Sequence, residues 1–163
     1  MKTQKLFFEI LLFCLTFLAL PQQTAAQTVE APTAHQLSKL GLKGATCRQI
    51  TPGIWSVKVG NKQMGHVVNS TNFAKEVVGY KGRTPVLVYV NKAKKVQKVI
   101  TLSNVETPNF FNAAAPVVNK WNGVSAKKGP SHQVDAVSGA TYSSKALIAN
   151  VQAALNAYNK YVK

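Results

Sequence analysis

A stretch near the C-terminal end of the sequence constrains the fold most. Leu147, Val151, Ala154, Leu155, Tyr158 and Val162 follow one another at spacings of 4, 3, 1, 3 and 4. That rhythm puts them on one side of a helix and predicts a helix over 143–162. A helix with one apolar stripe needs an apolar partner surface. The preceding sequence offers one in two hairpins. Ile54 to Val59 is β-branched and half-alternating, Gly60-Asn61 turns the chain, and Met64 to Val68 returns as a second strand. Pro85 to Val90 is the strongest strand. The basic turn Asn91 to Lys95 leads into a partner strand over 96–102, and Glu106-Thr107-Pro108 ends that unit, because proline cannot continue a ladder. Leu37, Leu40 and Leu42 predict a short helix over 34–42 that Gly41 and Gly44 end. Phe110 to Trp121 suggests another, restarted near Pro116, while 73–78 is either a helical turn or an extended link and 123–132 reads as loop. Antiparallel hairpins with flanking helices and a long C-terminal amphipathic helix make a single α+β domain.

The first residues are set aside from this fold. Lys2 and Lys5 precede an apolar run from Leu6 to Leu20, Pro21 breaks it, and Thr24-Ala25-Ala26 supplies small residues for a cleavage pocket. This is the pattern of a secretory signal over 1–26. A membrane anchor is the weaker reading, since spanning takes roughly 20 apolar residues and Glu9 shortens the run. A lipid anchor on Cys14 is weaker still, because bulky Phe13 precedes it. The expected organisation is then a signal at 1–26, a leader with a short helix at 27–53, and the main domain at 54–163. Export would place the protein in a periplasm or at the cell surface.

Removing 26 of 163 residues leaves 137, enough for one domain with a core. Cys47 is then the only cysteine, so no internal disulfide forms and burial must hold the fold together. No Cys/His cluster suggests zinc. The formal charge of +15 falls to +14 when Lys2, Lys5 and Glu9 leave. Export and the lack of an aromatic-basic motif argue against nucleic acid as the partner. Solubility and attraction to an anionic membrane surface or anionic ligands are the plainer readings.

The stretch that carries chemistry is Asp135-Ala136-Val137-Ser138-Gly139-Ala140-Thr141-Tyr142-Ser143-Ser144. Five hydroxyls fall within the seven residues 138–144, and the segment leads straight into the long helix. A helix start has free N–H groups and a partial positive charge, which suits a phosphate. Ser143 and Ser144 can add hydrogen bonds. Ordinary capping explains the same residues, with Thr or Ser as the cap and Asp135 ordering the turn before it. The spacing of a P-loop is absent.

This segment resembles the flavinylation motif D-x-x-[ST]-G-A-[ST]-x-[ST] of the FMN-binding domain family, which includes the C and G subunits of sodium-pumping NADH:quinone reductases and Rnf-type complexes. Asp135, Ser138, Gly139, Ala140, Thr141 and Ser143 fill its fixed positions. Gly79-Tyr80-x-Gly82 followed by Pro85 is similar to the family's G-Y-x-G-x-x-P-V opening, and Glu106-Thr107-Pro108 to its E-T-P element. Asn109-Phe110-Phe111 stands where larger members carry Gly-Leu-Gly. The likeness covers about Ile54 to the C-terminus. It implies FMN held covalently as a phosphoester on Thr141. It also implies loading by a separate flavin transferase that uses FAD and magnesium and releases AMP, because a threonine hydroxyl is a poor nucleophile until a base or metal activates it.

The resulting expectation is an extracytoplasmic electron carrier between a membrane donor and an extracytoplasmic acceptor. The alternative is a small secreted flavin-dependent reductase acting on a soluble substrate, ranked lower because no NAD-binding fingerprint is present. Asp135, Ser138, Gly139, Ala140, Ser143, Ser144, Glu106 and Thr107 are expected to bind the cofactor beside Thr141. Lys145, one turn on, is the nearest cation to raise the flavin potential. Trp121, Phe110, Phe111 and Tyr142 either stack on the flavin or, for most of them, build the core. His132 is either half of an acid-base pair with Asp135 or an idle loop residue. Asn69-Ser70-Thr71 matches a glycosylation sequon that matters only in a eukaryotic secretory path.

Overall fold

The computed structural model describes residues 29–162, so the signal expected at 1–26 lies outside the described residues. Helix α1 (Ala34–Lys39) precedes five strands: β1 (Ala45–Thr51), β2 (Ile54–Val59), β3 (Lys62–Asn69), β4 (Val86–Asn91) and β5 (Val96–Thr101). Helices α2 (Pro108–Ala114) and α3 (Thr141–Tyr161) follow, with 3-10 turns at Ser70–Asn72, Ala115–Trp121 and Gly129–Ser131. The strands form one antiparallel sheet in chain order. The protein is therefore α+β, as the sequence predicts.

Strand β4 shows why the sheet must be covered on both sides. Val86, Val88 and Val90 join the cluster that packs against α3, whereas Leu87 and Tyr89 join the cluster beneath α1. An almost continuous apolar run is stable as a strand only when both faces are buried. On one face, Leu147, Val151, Ala154 and Leu155 of α3 are fully buried beside Val117, Val118 and Trp121. Burying each of the larger aliphatic side chains contributes about 1.5–3 kcal/mol. On the other face sit Leu37, Leu40 and Leu42. A capping box starts α1: the Gln36 amide donates to Thr33 Oγ1 at 3.2 Å, and the Thr33 amide donates to Gln36 Oε1 at 2.9 Å.

Strand β1 was not legible in the sequence. It pairs with β2 from Ala45↔Val59 to Thr51↔Ile54, so residues assigned to a leader ahead of Ile54 belong to the sheet. Thr46, Arg48, Gln49 and Thr51 are polar and the strand is partly exposed, which hides the apolar alternation a strand usually shows. Cys47 lies half-buried against the lower cluster, and burial pushes its thiol above the ordinary value. Helix α2 begins at Pro108, two residues before the sequence suggests, because a first helical turn has no use for the missing N–H. The restart near Pro116 is a change from α to 3-10 geometry at Ala115.

A buried polar junction fastens α3 to the sheet. The Ser70 hydroxyl donates to Asn150 Oδ1 at 2.6 Å and accepts from the Val86 amide at 2.9 Å. Neighbouring Asn69 is buried, and its Oδ1 accepts from both the amide and the hydroxyl of Thr71. The sequon is thus an internal turn of the folded protein. Among the described residues, no helix is long and apolar enough to cross a membrane.

Candidate functional site

The residues leading into α3 form an irregular loop that turns at Ser138-Gly139. Gly139 holds φ +77, a conformation that side-chain-bearing residues adopt at a cost, although a Cβ there would meet open space. Gly139→Ala should therefore cost about 1–2 kcal/mol of stability through backbone strain alone. Chemical denaturation measures that, and a stability equal to wild type would show that the turn relaxes freely.

Three observations define the mouth of α3. Ala140 is the N-cap and no side chain caps the helix. The amides of Thr141, Tyr142 and Ser143 find no acceptor in the preceding loop among the described residues, while Ser144 already bonds the Ala140 carbonyl at 3.0 Å. No acidic residue lies in the first turn. Thr141 is the first helical residue, exposed, with a hydroxyl that makes no hydrogen bond among the described residues. Capping, the plainer reading of the sequence, is therefore not what Thr141 does.

The serines beside it have other work. Ser144 is buried, donates its hydroxyl to the Ala140 carbonyl at 2.8 Å and accepts from the Val137 amide at 3.0 Å, which shapes the turn from within. Ser143 is buried too, and its hydroxyl donates to Glu106 Oε2. Both hydroxyls thus face the protein, and their backbone positions are what reach the helix mouth.

Glu106 is the hub. Its Oε2 accepts from the Tyr80 amide at 3.0 Å, and its Oε1 accepts from the Lys81 and Gly82 amides at 2.7 and 3.0 Å. The loop 79–82 closes on itself through Gly79 N–H to the Gly82 carbonyl at 2.7 Å. A Cβ on Gly79 would lie 2.9 Å from the Glu106 carboxyl group, so glycine is what lets the loop come this near. Burial alone would raise the Glu106 pKa. The Ser143 hydroxyl and the three loop amides outweigh burial and hold the carboxyl below its ordinary value. One carboxylate thereby ties the loop carrying Tyr80 to the first turn of α3.

This tie builds a cleft of about 210 Å³ lined by Tyr80, Phe110, Gly139, Ala140, Thr141, Tyr142 and Ser143. The Tyr80 and Tyr142 rings stand 6.4 Å apart, tilted by 46°. Val78, Tyr80, Val105, Phe110 and Tyr142 are five of the seven exposed large hydrophobic residues among those described, and all lie in or next to the segments that form this cleft. An exposed apolar cluster of this kind marks a binding surface. Free helix amides suit a phosphate and exposed aromatic faces suit a planar ring, so the residues present fit a nucleotide-like flavin.

The aromatic residues divide. Trp121 is fully buried, with its indole N–H on the Gly129 carbonyl at 3.0 Å, and Phe111 packs on the core. Phe110 and Tyr142 face the cleft. Tyr80 joins them, although the sequence marks it only within the Gly79-Tyr80-x-Gly82 element and gives its ring no role. An exposed aromatic between two glycines was the available signal. Asp135 and Ser138 are exposed and do not line the cleft, and Thr107 precedes α2 without a side-chain cap. His132 bonds the Lys120 carbonyl at 3.2 Å and stands edge-on to Trp121, rather than pairing with Asp135.

Fold and site together define a small α+β domain for a phosphate-bearing, planar cofactor. Residues 79–156 match the family model of the FMN-binding domain, which supports FMN as the cofactor. No curated protein matches the chain.

Proposed function

We propose that this protein is an extracytoplasmic electron carrier whose FMN is joined to Thr141 by a phosphoester. The observation that carries the reading is the state of Thr141: exposed, free of hydrogen bonds among the described residues, and set at a helix mouth whose amides are free. Neighbouring Ser143 and Ser144 are buried and engaged, which leaves Thr141 as the accessible hydroxyl at the flavinylation position.

No titratable side chain bonds the Thr141 hydroxyl among the described residues, so another protein must activate it. A flavin transferase using FAD and Mg²⁺ meets that need. Thr141 Oγ1 bonds the FMN-side phosphorus, the P–O–P bond of FAD breaks, AMP leaves, and the hydroxyl proton passes to a base of the transferase. The exposure of Asp135, Ser138 and Gly139 supports their role as the surface that such an enzyme recognises. Once held, the flavin supplies the redox chemistry. The chain contributes placement: helix amides toward the phosphate, and Tyr80, Phe110 and Tyr142 beside the ring. A donor in the membrane and an acceptor outside it complete the carrier role.

The test is intact mass after co-expression with a transferase. The mass should rise by FMN less one water, and the added group should map to the Thr141 peptide. An unchanged mass despite an active transferase would end the proposal. Lys145 is exposed one turn into α3. Its charge favours the more negative, reduced flavin, so Lys145→Gln should lower the midpoint potential at low salt, and the difference should vanish at high salt. Potentiometric titration reads this; identical potentials at low salt would remove Lys145 from the account.

A further inference from the structure

We propose that the end of the domain opposite the flavin site is a docking face for the anionic surface of a lipid bilayer. The inference stands on charge placement and does not depend on how FMN is attached.

Strand β4 runs from Val86, beside the loop that carries Tyr80, to Asn91 at the far end of the sheet. Three loop segments meet at that far end, beside the C-terminal end of α3, whose Tyr158 and Val162 share a hollow with Lys92 and Lys94. The β2–β3 turn brings Lys58 and Lys62, and Lys62 shares a surface hollow with Lys92. The β4–β5 turn carries Lys92, Lys94 and Lys95. The segment 124–128 adds Lys127 and Lys128, and is fixed there by the Lys95↔Ser125 bridge and by the Ala126 amide on the Lys94 carbonyl at 2.8 Å. All seven lysines are exposed. The acids among the described residues are Glu30, Glu76, Glu106 and Asp135, and none belongs to these three segments.

The turn itself is built to present its charges. Asn91 Oδ1 accepts from the Ala93 and Lys95 amides at 3.0 and 3.1 Å, and Asn91 Nδ2 donates to Gln97 Oε1 at 3.0 Å. Lys94 holds φ 56, the one positive φ on a non-glycine residue among those described. Seven glycines occupy such angles elsewhere in the chain. A lysine where glycine would be unstrained sets a charge, at a backbone cost, on the tip of this turn.

The composition of this face selects a lipid surface over a protein. A protein interface needs a buried apolar or aromatic centre. None of the exposed large hydrophobic residues falls in these three segments. Clustered lysines without apolar anchors bind anionic headgroups through the surface potential, each contributing about fivefold to partitioning. Docked this way, the protein turns the cleft at Thr141 toward the acceptor outside the bilayer, so a donor in the membrane must reach the flavin through a part that projects above the surface.

The experiment is sedimentation of the purified protein with vesicles of phosphatidylcholine alone or with a third phosphatidylglycerol. Binding is expected to the mixed vesicles only, and to disappear at high salt. The triple variant Lys92→Gln, Lys94→Gly, Lys95→Gln keeps the turn and should bind on the order of a hundredfold more weakly. A control with the same charge loss, Lys39→Gln, Lys75→Gln, Lys120→Gln, removes exposed cations from other segments and should bind within about twofold of wild type. Circular dichroism confirms that both variants fold. Equal losses in the two triples, equal binding to neutral vesicles, or capture by poly-glutamate without vesicle binding would each overturn the proposal, the last in favour of an acidic protein partner.

Discussion

Thr141→Ala protein is expected to emerge colourless from co-expression with a flavin transferase, and to be as stable as wild type. The two halves of this result follow from different features. The colour depends on one oxygen, because the variant offers no hydroxyl at the motif position, and Ser143 and Ser144 cannot substitute while they are buried and engaged. The stability is indifferent because the Thr141 side chain is exposed and bonds nothing among the described residues, a setting where substitutions change stability by no more than about 0.5 kcal/mol. In-gel fluorescence of denatured protein reads the first half and a thermal melt the second. Flavin that survives denaturation in the variant would place the attachment elsewhere.

Glu106→Gln is expected to loosen the site without touching the attachment residue. A glutamine can offer one oxygen to the loop amides, but its NH₂ then faces N–H donors that the carboxylate had satisfied. Hydrogen bonds to a charged group contribute more than neutral ones, and buried donors left unpaired carry their own penalty. The combined cost is about 2–4 kcal/mol. Hydrogen exchange at Tyr80, Lys81 and Gly82 should accelerate, because their amides are the ones released. Ser143→Ala removes only one of the four donors and should weaken flavin loading without abolishing it.

The same carboxylate sets a pH dependence. Its folded pKa lies below the ordinary glutamate value, which is about 4.3. Its stabilising contribution is therefore complete above that ordinary value and is lost as pH falls through the lower, folded value. Wild type should lose this increment in acid, and Glu106→Gln should show a flatter stability profile over the same range. Parallel profiles for the two proteins would mean that Glu106 does not hold the loop.

Much of the fold was legible because the signals were local. The stripe on α3 and the β-branched runs of β2 to β5 announce periodicity within a few residues. Strand β1 was not legible, since its exposed polar positions leave little alternation to detect. In the site, the motif around Thr141 was readable as a string of residue types. The role of Glu106 was not, because its partners lie 24 to 26 residues before it and 37 after it. Nothing in a linear reading separates a strand-end glutamate facing water from one buried under a loop.

The sequence by itself determined the helix that must be covered, the hairpins that cover it, and the hydroxyl-rich segment where they meet the cofactor. These depend on side-chain period and on residue type, which are properties of neighbours along the chain. Only the tertiary structure decided which hydroxyls are free. Ser143 and Ser144 turn inward and Thr141 outward because packing α3 on the sheet buries one side of its first turn. The same packing brings the loop of Tyr80 across to Glu106 and opens the cleft. A chain can state its periodicities locally, but burial is settled only when distant segments compete for the same space.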